Sequence, residues 1–281
     1  MSYQFPLDTC IVACSGPSLN KVDVFSLGVP VCAISTTIRS IPKPDYWFIA
    51  DHLNEMHGQQ GKDGWEDPSI IKVVPSKSMR NGAGKNVIQH PYLEGREANQ
   101  KYESLLFDPT KPLLRGPHKT LTFAIQWLHV CGVKNIIFAG NDLSAEKFES
   151  KYAYGLESYD KKKEHNFKKT LDQIKDALIG WYPVARSKGY NWYSWECGPI
   201  FESIVPRFNP EILNNVNTCT TVVPVPKDIE EQIIYDNITE HEKNQREYFR
   251  LLNEARAKEK EKQNENINMS VYFDLLQKRR K

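Results

Sequence analysis

Ser15-Gly16-Pro17-Ser18-Leu19 follows directly on an apolar run, Thr9 to Cys14. A glycine at the carboxyl end of a strand lets backbone N–H groups approach a phosphate. The positive end of a following helix adds to that attraction. The loop has neither GxGxxG nor GxxxxGK[ST] spacing, which argues against a dinucleotide fingerprint and against a P-loop. Groups suited to steadying a departing phosphate occur at Arg115, Lys119, Tyr152 and Tyr154. Histidine is the side chain best matched to base work near neutral pH, and His165 and His118 are the candidates. His165 follows Asp160-Lys161-Lys162-Lys163-Glu164, a run that reads equally well as a solvated surface. His129, inside an apolar stretch, reads as a core residue. The chain contains no Asp-x-Asp pair of the kind that clamps a metal ion on a phosphate. The chemistry expected is therefore free of metal and cofactor.

These residues need a scaffold. Short apolar runs at 9–14, 30–35, 45–51, 70–75, 135–140 and 192–195 are bounded by Gly, Pro and Asp. Continuous apolar strands of this kind suit a parallel sheet covered on both faces. Between them, Thr120 to Val130 reads as an apolar helix stopped at Gly132, and Lys168 to Ser187 as an amphipathic one. The expected fold is α/β: one Rossmann-like domain over 1–225, with a mostly parallel sheet and helices on both faces. Residues 52–68, 77–119 and 145–166 read as loops or lids. From 226 to 281 the chain is charge-rich and reads as a helical extension. A weak heptad seam over 227–262 reads either as a solvated amphipathic helix leaning on the domain or as a coiled-coil contact between copies.

The 281 residues carry 37 Lys+Arg against 35 Asp+Glu, a balance that demands no polyanionic partner. With 40% hydrophobic residues the composition excludes a wholly disordered or fibrous chain. No apolar run reaches membrane-spanning length and the first residues lack signal-peptide character, so the expected location is the cytoplasm. Six cysteines without CxxC spacing read as free thiols.

The order of Gly16-Pro17-Ser18-Leu19, Pro44-Asp45-Tyr46, Gly140-Asn141-Asp142 and Tyr152-Ala153-Tyr154 resembles the bacterial lipooligosaccharide sialyltransferases. It is also similar to a GPSL-containing pterin diphosphokinase-like family. The resemblance spans roughly residues 9–205. It implies a metal-independent, inverting transfer of a sugar from a nucleotide-activated donor to an acceptor hydroxyl. The acceptor would be a glycan or a hydroxymethylated base in DNA. Gly16, Pro17 and Ser18 would hold the donor's phosphate or ribose, with Cys14 where the family has its first glycine. Family asparagines fall near Ser35 and on Asp51. Arg115, Lys119 and Thr120 parallel a phosphate-facing loop and helix start, and Asp142 closes the matching strand. Tyr152 parallels one of two tyrosines on the leaving phosphate, the other being replaced near Ser144, and His165 parallels the catalytic base. The second family implies instead a diphosphokinase on a pterin-like alcohol, with ATP and Mg²⁺ on Asp51 and Asp142. A third reading is a non-catalytic nucleotide-binding assembly module.

Overall fold

The computed structural model describes residues 2–50, 57–75, 85–90, 92–94, 106–108, 113–115, 120–143, 161–219 and 223–224. Two compact units, Met1–Pro226 and Lys227–Lys281, divide the chain. The second unit, with the expected seam over 227–262, lies outside the described residues.

The strands in chain order are β1 (Ser2–Tyr3), β2 (Thr9–Ala13), β3 (Val31–Ile34), β4 (Tyr46–Phe48), β5 (Ile71–Pro75), β6 (Val87–His90), β7 (Tyr92–Glu94), β8 (Leu113–Arg115), β9 (Asn135–Ala139), β10 (Asn191–Trp195) and β11 (Val223–Pro224). The α-helices are α1 (Gly58–Glu66), α2 (Thr120–Val130), α3 (Lys161–Ser187) and α4 (Pro199–Glu202). Seven strands form one sheet in the order β10-β9-β2-β3-β4-β5-β6, and every pair in it is parallel. The chain lays strands outward from β2 to β6, then returns to the other side of β2 for β9 and β10. The order therefore reverses between β2 and β9.

Alternation along β2 explains how one strand serves two layers. Cys10 and Val12 join the core on one face, with Trp127 of α2, Trp181 of α3 and Trp192. Ile11 and Ala13 join the core on the other, with Leu19, Val24 and Val29. A third cluster packs Trp65 of α1 with Trp47, Ile38 and Ile70. All eleven residues of α2 are buried, which is why its sequence shows no polar stripe.

Two expectations need correction. The stretch 52–68 contains α1, and 77–119 contains β6, β7 and β8. Glycine content hid α1, because three of its nine residues are glycine. Two of these are packing devices: a Cβ at Gly61 would run into His57, and one at Gly64 would lie 3.2 Å from Ile38. The helix expected from residue 168 begins at Lys161, so 161–166 is helical.

His129 is a core residue. Its Nδ1–H donates to the Val133 carbonyl at 2.7 Å, and its Nε2 accepts from the Trp192 indole N–H at 2.8 Å. Tyr190 stacks on the ring at 4.1 Å. Burial pushes its pKa down to about 3, partly opposed by the Val133 hydrogen bond. The unfolded chain takes up this proton near pH 6.5, well before the folded one does. The stability held by neutral His129 is thus complete above pH 6.5 and is lost as pH falls toward 3. By pH 5 the loss should reach about 2 kcal/mol. Urea melts at pH 7 and pH 5 check this. The stability gap between wild type and His129→Leu should shrink by about that amount on acidification, and a constant gap would refute it.

Candidate functional site

Where strand order reverses in an open parallel sheet, the loops at the carboxyl ends diverge and leave a crevice. Here that crevice is a cavity of about 160 Å³. Cys14, Ser15 and Gly16 enter it from the end of β2, and Ile34, Ser35 and Thr36 from β3. The end of β9 adds Gly140, Asn141, Asp142 and Leu143. Leu121 from the first turn of α2 and Thr170, Leu171 and Ile174 from α3 complete the wall. The first turn of α2, its positive end, thus borders the cavity through Leu121.

The Gly16-Pro17-Ser18 loop is organised around Asp142. The Ser18 N–H donates to Asp142 Oδ2 at 3.0 Å, and the Gly16 N–H to the Gly140 carbonyl at 2.9 Å. The Leu19 N–H closes back on Gly16 at 3.1 Å. The expectation for this loop is that it holds the donor's phosphate or ribose. At the start of the short 3₁₀ helix Pro17–Lys21, the Ser18 N–H is bonded to the Asp142 side chain. Three glycines make room for this. A Cβ at Gly16 would overlap Asp142, one at Gly198 would lie 2.5 Å from the Asp142 carbonyl, and one at Gly140 would overlap the Cys14 carbonyl.

Backbone strain gathers at this edge. Ser35, Leu143 and Glu196 follow β3, β9 and β10 with φ of 48°, 51° and 50°. Non-glycine residues in the left-handed region cost energy and cluster at functional sites. Ser35 is braced by the Trp47 indole N–H, which donates to its carbonyl at 2.8 Å. Its hydroxyl lies 3.5 Å from Nε2 of buried His57. The Thr36 hydroxyl donates to Ser15 Oγ at 3.5 Å. Asn141 Nδ2 is enclosed and has no hydrogen-bond partner. Burial holds the Cys14 thiol well above its usual range, with Cys197 and Asp142 adding to the effect, so Cys14 stays protonated.

Among the sequence candidates, Gly16, Ser35 and Asp142 line the cavity. Pro17 and Ser18 lie in the loop behind it, and Thr120 starts α2 beside the lining residue Leu121. Arg115 ends β8 and His165 lies within α3, but their side chains are outside the described residues. Asp51, His118, Lys119, Ser144, Tyr152 and Tyr154 are outside them altogether. Sequence reasoning missed Asn141, Thr36 and the α3 wall. Asn141 was legible, since it stands inside the Gly140-Asn141-Asp142 strand end. Thr170, Leu171 and Ile174 carried no signal beyond an ordinary helix stripe. Among the described residues, no three His, Cys, Asp or Glu side chains gather as metal ligands, and no helix is long and apolar enough to cross a membrane.

No protein-family model matches the chain, and no curated protein matches it. Two solved structures are similar to it over 82% of its length and 98% of theirs, each at 12% identity. One is a variant of the sialyltransferase CstII in complex with CMP, at a TM-score of 0.43. The other is CstII from Campylobacter jejuni in complex with the substrate analogue CMP-3FNeuAc, at a TM-score of 0.41.

Proposed function

We propose that the protein is an enzyme, a glycosyltransferase that binds a nucleotide-activated sugar and passes the sugar, with inversion and without a metal ion, to an acceptor hydroxyl. The observation that carries this reading is the cavity at the strand-order reversal, bordered by the ends of β2, β3 and β9. Its aliphatic walls suit a planar ring, while the amino end of α2 suits the donor's phosphate. The motif resemblance over 9–205 supports the same substrate class. The phosphate then departs toward the α2 amino end, steadied by that pole together with Arg115, Lys119, Tyr152 and Tyr154. A histidine, His118 or His165, takes the proton from the acceptor hydroxyl as the new bond forms. Asp142 acts at one remove, by holding the Gly16–Ser18 loop against the strand ends.

Thermal shift with CMP, UMP, GMP, AMP and their sugar conjugates tests the donor site. A ligand at about 100 times its Kd adds about 2.7 kcal/mol, which should raise Tm by roughly 5–10 °C. No shift with any of them would overturn the proposal. The conjugate that binds should also support turnover in excess EDTA. Activity abolished by EDTA and restored by Mg²⁺ would instead favour phosphotransfer.

A further inference from the structure

We infer that the amino-terminal part of α3 is a hinged wall of the cavity, which pivots at Gly180–Pro183 and closes on a bound nucleotide. Closure rests on the reading of the cavity as a nucleotide site; the hinge does not. Burial divides α3 into two stretches. Over 177–185, Ala177, Leu178, Trp181 and Ala185 are no more than 1% exposed, and the last three belong to the main core cluster. The Tyr190 N–H donates to the Ala185 carbonyl at 3.0 Å, and Lys188 Nζ to the Leu106 carbonyl at 2.7 Å, which fixes the carboxyl end. Over 168–176 no residue is buried, yet Thr170, Leu171 and Ile174 line the cavity. That stretch meets the core only through half-buried Leu171 and Ile174.

Two residues that weaken a helix stand within one turn of each other. Pro183 has no N–H, so the Ile179 carbonyl loses its intrahelical bond, and the proline ring presses on that carbonyl. Gly180 is exposed, and a Cβ there would meet nothing within 4 Å, so no packing contact requires a glycine. Ile179 and Pro183 are exposed as well, which lets water solvate the freed carbonyl. The side of the helix on which they stand sets the direction of bending. At 100° per residue, Pro183 lies about 180° around the axis from Ile174, and Gly180 about 180° from Leu171. α3 is thus loosened on the side away from the cavity, and opening that side bends the helix toward the cavity. The lever is long where it matters. At a rise of about 1.5 Å per residue, a rotation of about 10° at Gly180 carries Leu171 by roughly 2 Å and Leu178 by only about 0.5 Å. The wall moves while the buried stretch stays seated.

The experiment follows amide hydrogen exchange in the full chain, free and saturated with whichever of CMP, UMP, GMP and AMP raises Tm most. In the free protein the amides of 170–176 should exchange at least about tenfold faster than those of 184–186. Bound nucleotide should slow 170–176 at least about tenfold more than it slows 184–186. The double variant Gly180→Ala/Pro183→Ala tests the pivot, since both sites are exposed and the core is left intact. It should raise the free protein's Tm by roughly 5 °C or more and slow exchange at 170–176 at least about threefold. It should also weaken nucleotide binding at least about threefold, because a continuous helix no longer follows the ligand. A fall in Tm would show that the two residues fit a fixed bend and would overturn the hinge. Equal exchange of the two stretches in the free protein, or a variant that binds nucleotide as tightly as wild type, would overturn it too. A wild type that binds none of the four nucleotides overturns closure and the nucleotide reading together. Slowed exchange at 170–176 in the variant would even then support the hinge.

Discussion

Alanine at Gly140 should destabilise the protein by roughly 3 kcal/mol or more, with a fall in Tm near 10 °C. Gly140 has a φ of +68°, a conformation that costs a non-glycine residue about 1–2 kcal/mol. The added Cβ would also overlap the Cys14 carbonyl and sit 2.8 Å from Leu19 Cβ. Cys14 lies just past β2 and its N–H is bonded to the Ala139 carbonyl, and Leu19, inside the 3₁₀ helix, is packed in the core with Ile11 and Ala13, so neither yields freely. Gly16→Ala provides the contrast. Its Cβ would meet the Asp142 side chain as well as the Gly140 carbonyl. Removing that side chain in Gly16→Ala/Asp142→Ala should recover part of the lost stability, whereas Asp142→Ala should not rescue Gly140→Ala. Urea melts of the two cycles separate these cases. Equal rescue of both, or a Gly140→Ala protein as stable as wild type, would refute the packing argument. The result also bears on how the loop works. Gly16 permits a close approach, but the group approaching it is Asp142, so larger residues there should lower stability together with ligand binding.

The sheet was legible because its strands are apolar on both faces. Thr9–Ala13, Val31–Ile34, Ile71–Pro75 and Asn135–Ala139 stand within a residue or so of their sequence bounds. A strand buried on both sides leaves no polar alternation to misread. β4 is shorter than the run from 45 to 51, because pairing with β3 and β5 ends at Phe48. α2 was legible to the residue, since an apolar run ending before Gly132, with its φ of +94°, permits one reading. α1 was not, because its glycines serve contacts with Ile38 and His57 that exist only after folding. The site divides in the same way. Gly16, Ser35 and Asp142 follow strands, and strand ends can be read in sequence. The bond from Ser18 N–H to Asp142 spans 124 positions and leaves no local trace. Nor does sequence spacing tell which turn of a 27-residue helix will face a cavity.

That last point bears on the expectation for the catalytic base. Thr170, Leu171 and Ile174 mark the side of α3 that faces the cavity. His165 lies five residues before Thr170, and at 100° per residue its position falls about 140° around the axis from Thr170 and about 180° from Ile174. His118 stands two positions before Thr120 in the sequence, and Thr120 starts α2, where Leu121 forms the wall. We therefore expect His118→Ala to lower kcat by roughly 10²–10⁴-fold with the donor Kd unchanged, the range typical for loss of a general base. His165→Ala should leave kcat within about threefold. The rate against pH discriminates further. Wild type should show an acidic limb as the base protonates, and that limb should vanish in His118→Ala while surviving in His165→Ala. The reverse pattern would return the role to His165. It would also mean that the acceptor hydroxyl approaches from the far side of α3, with the sugar carried across the helix rather than held over the strand ends.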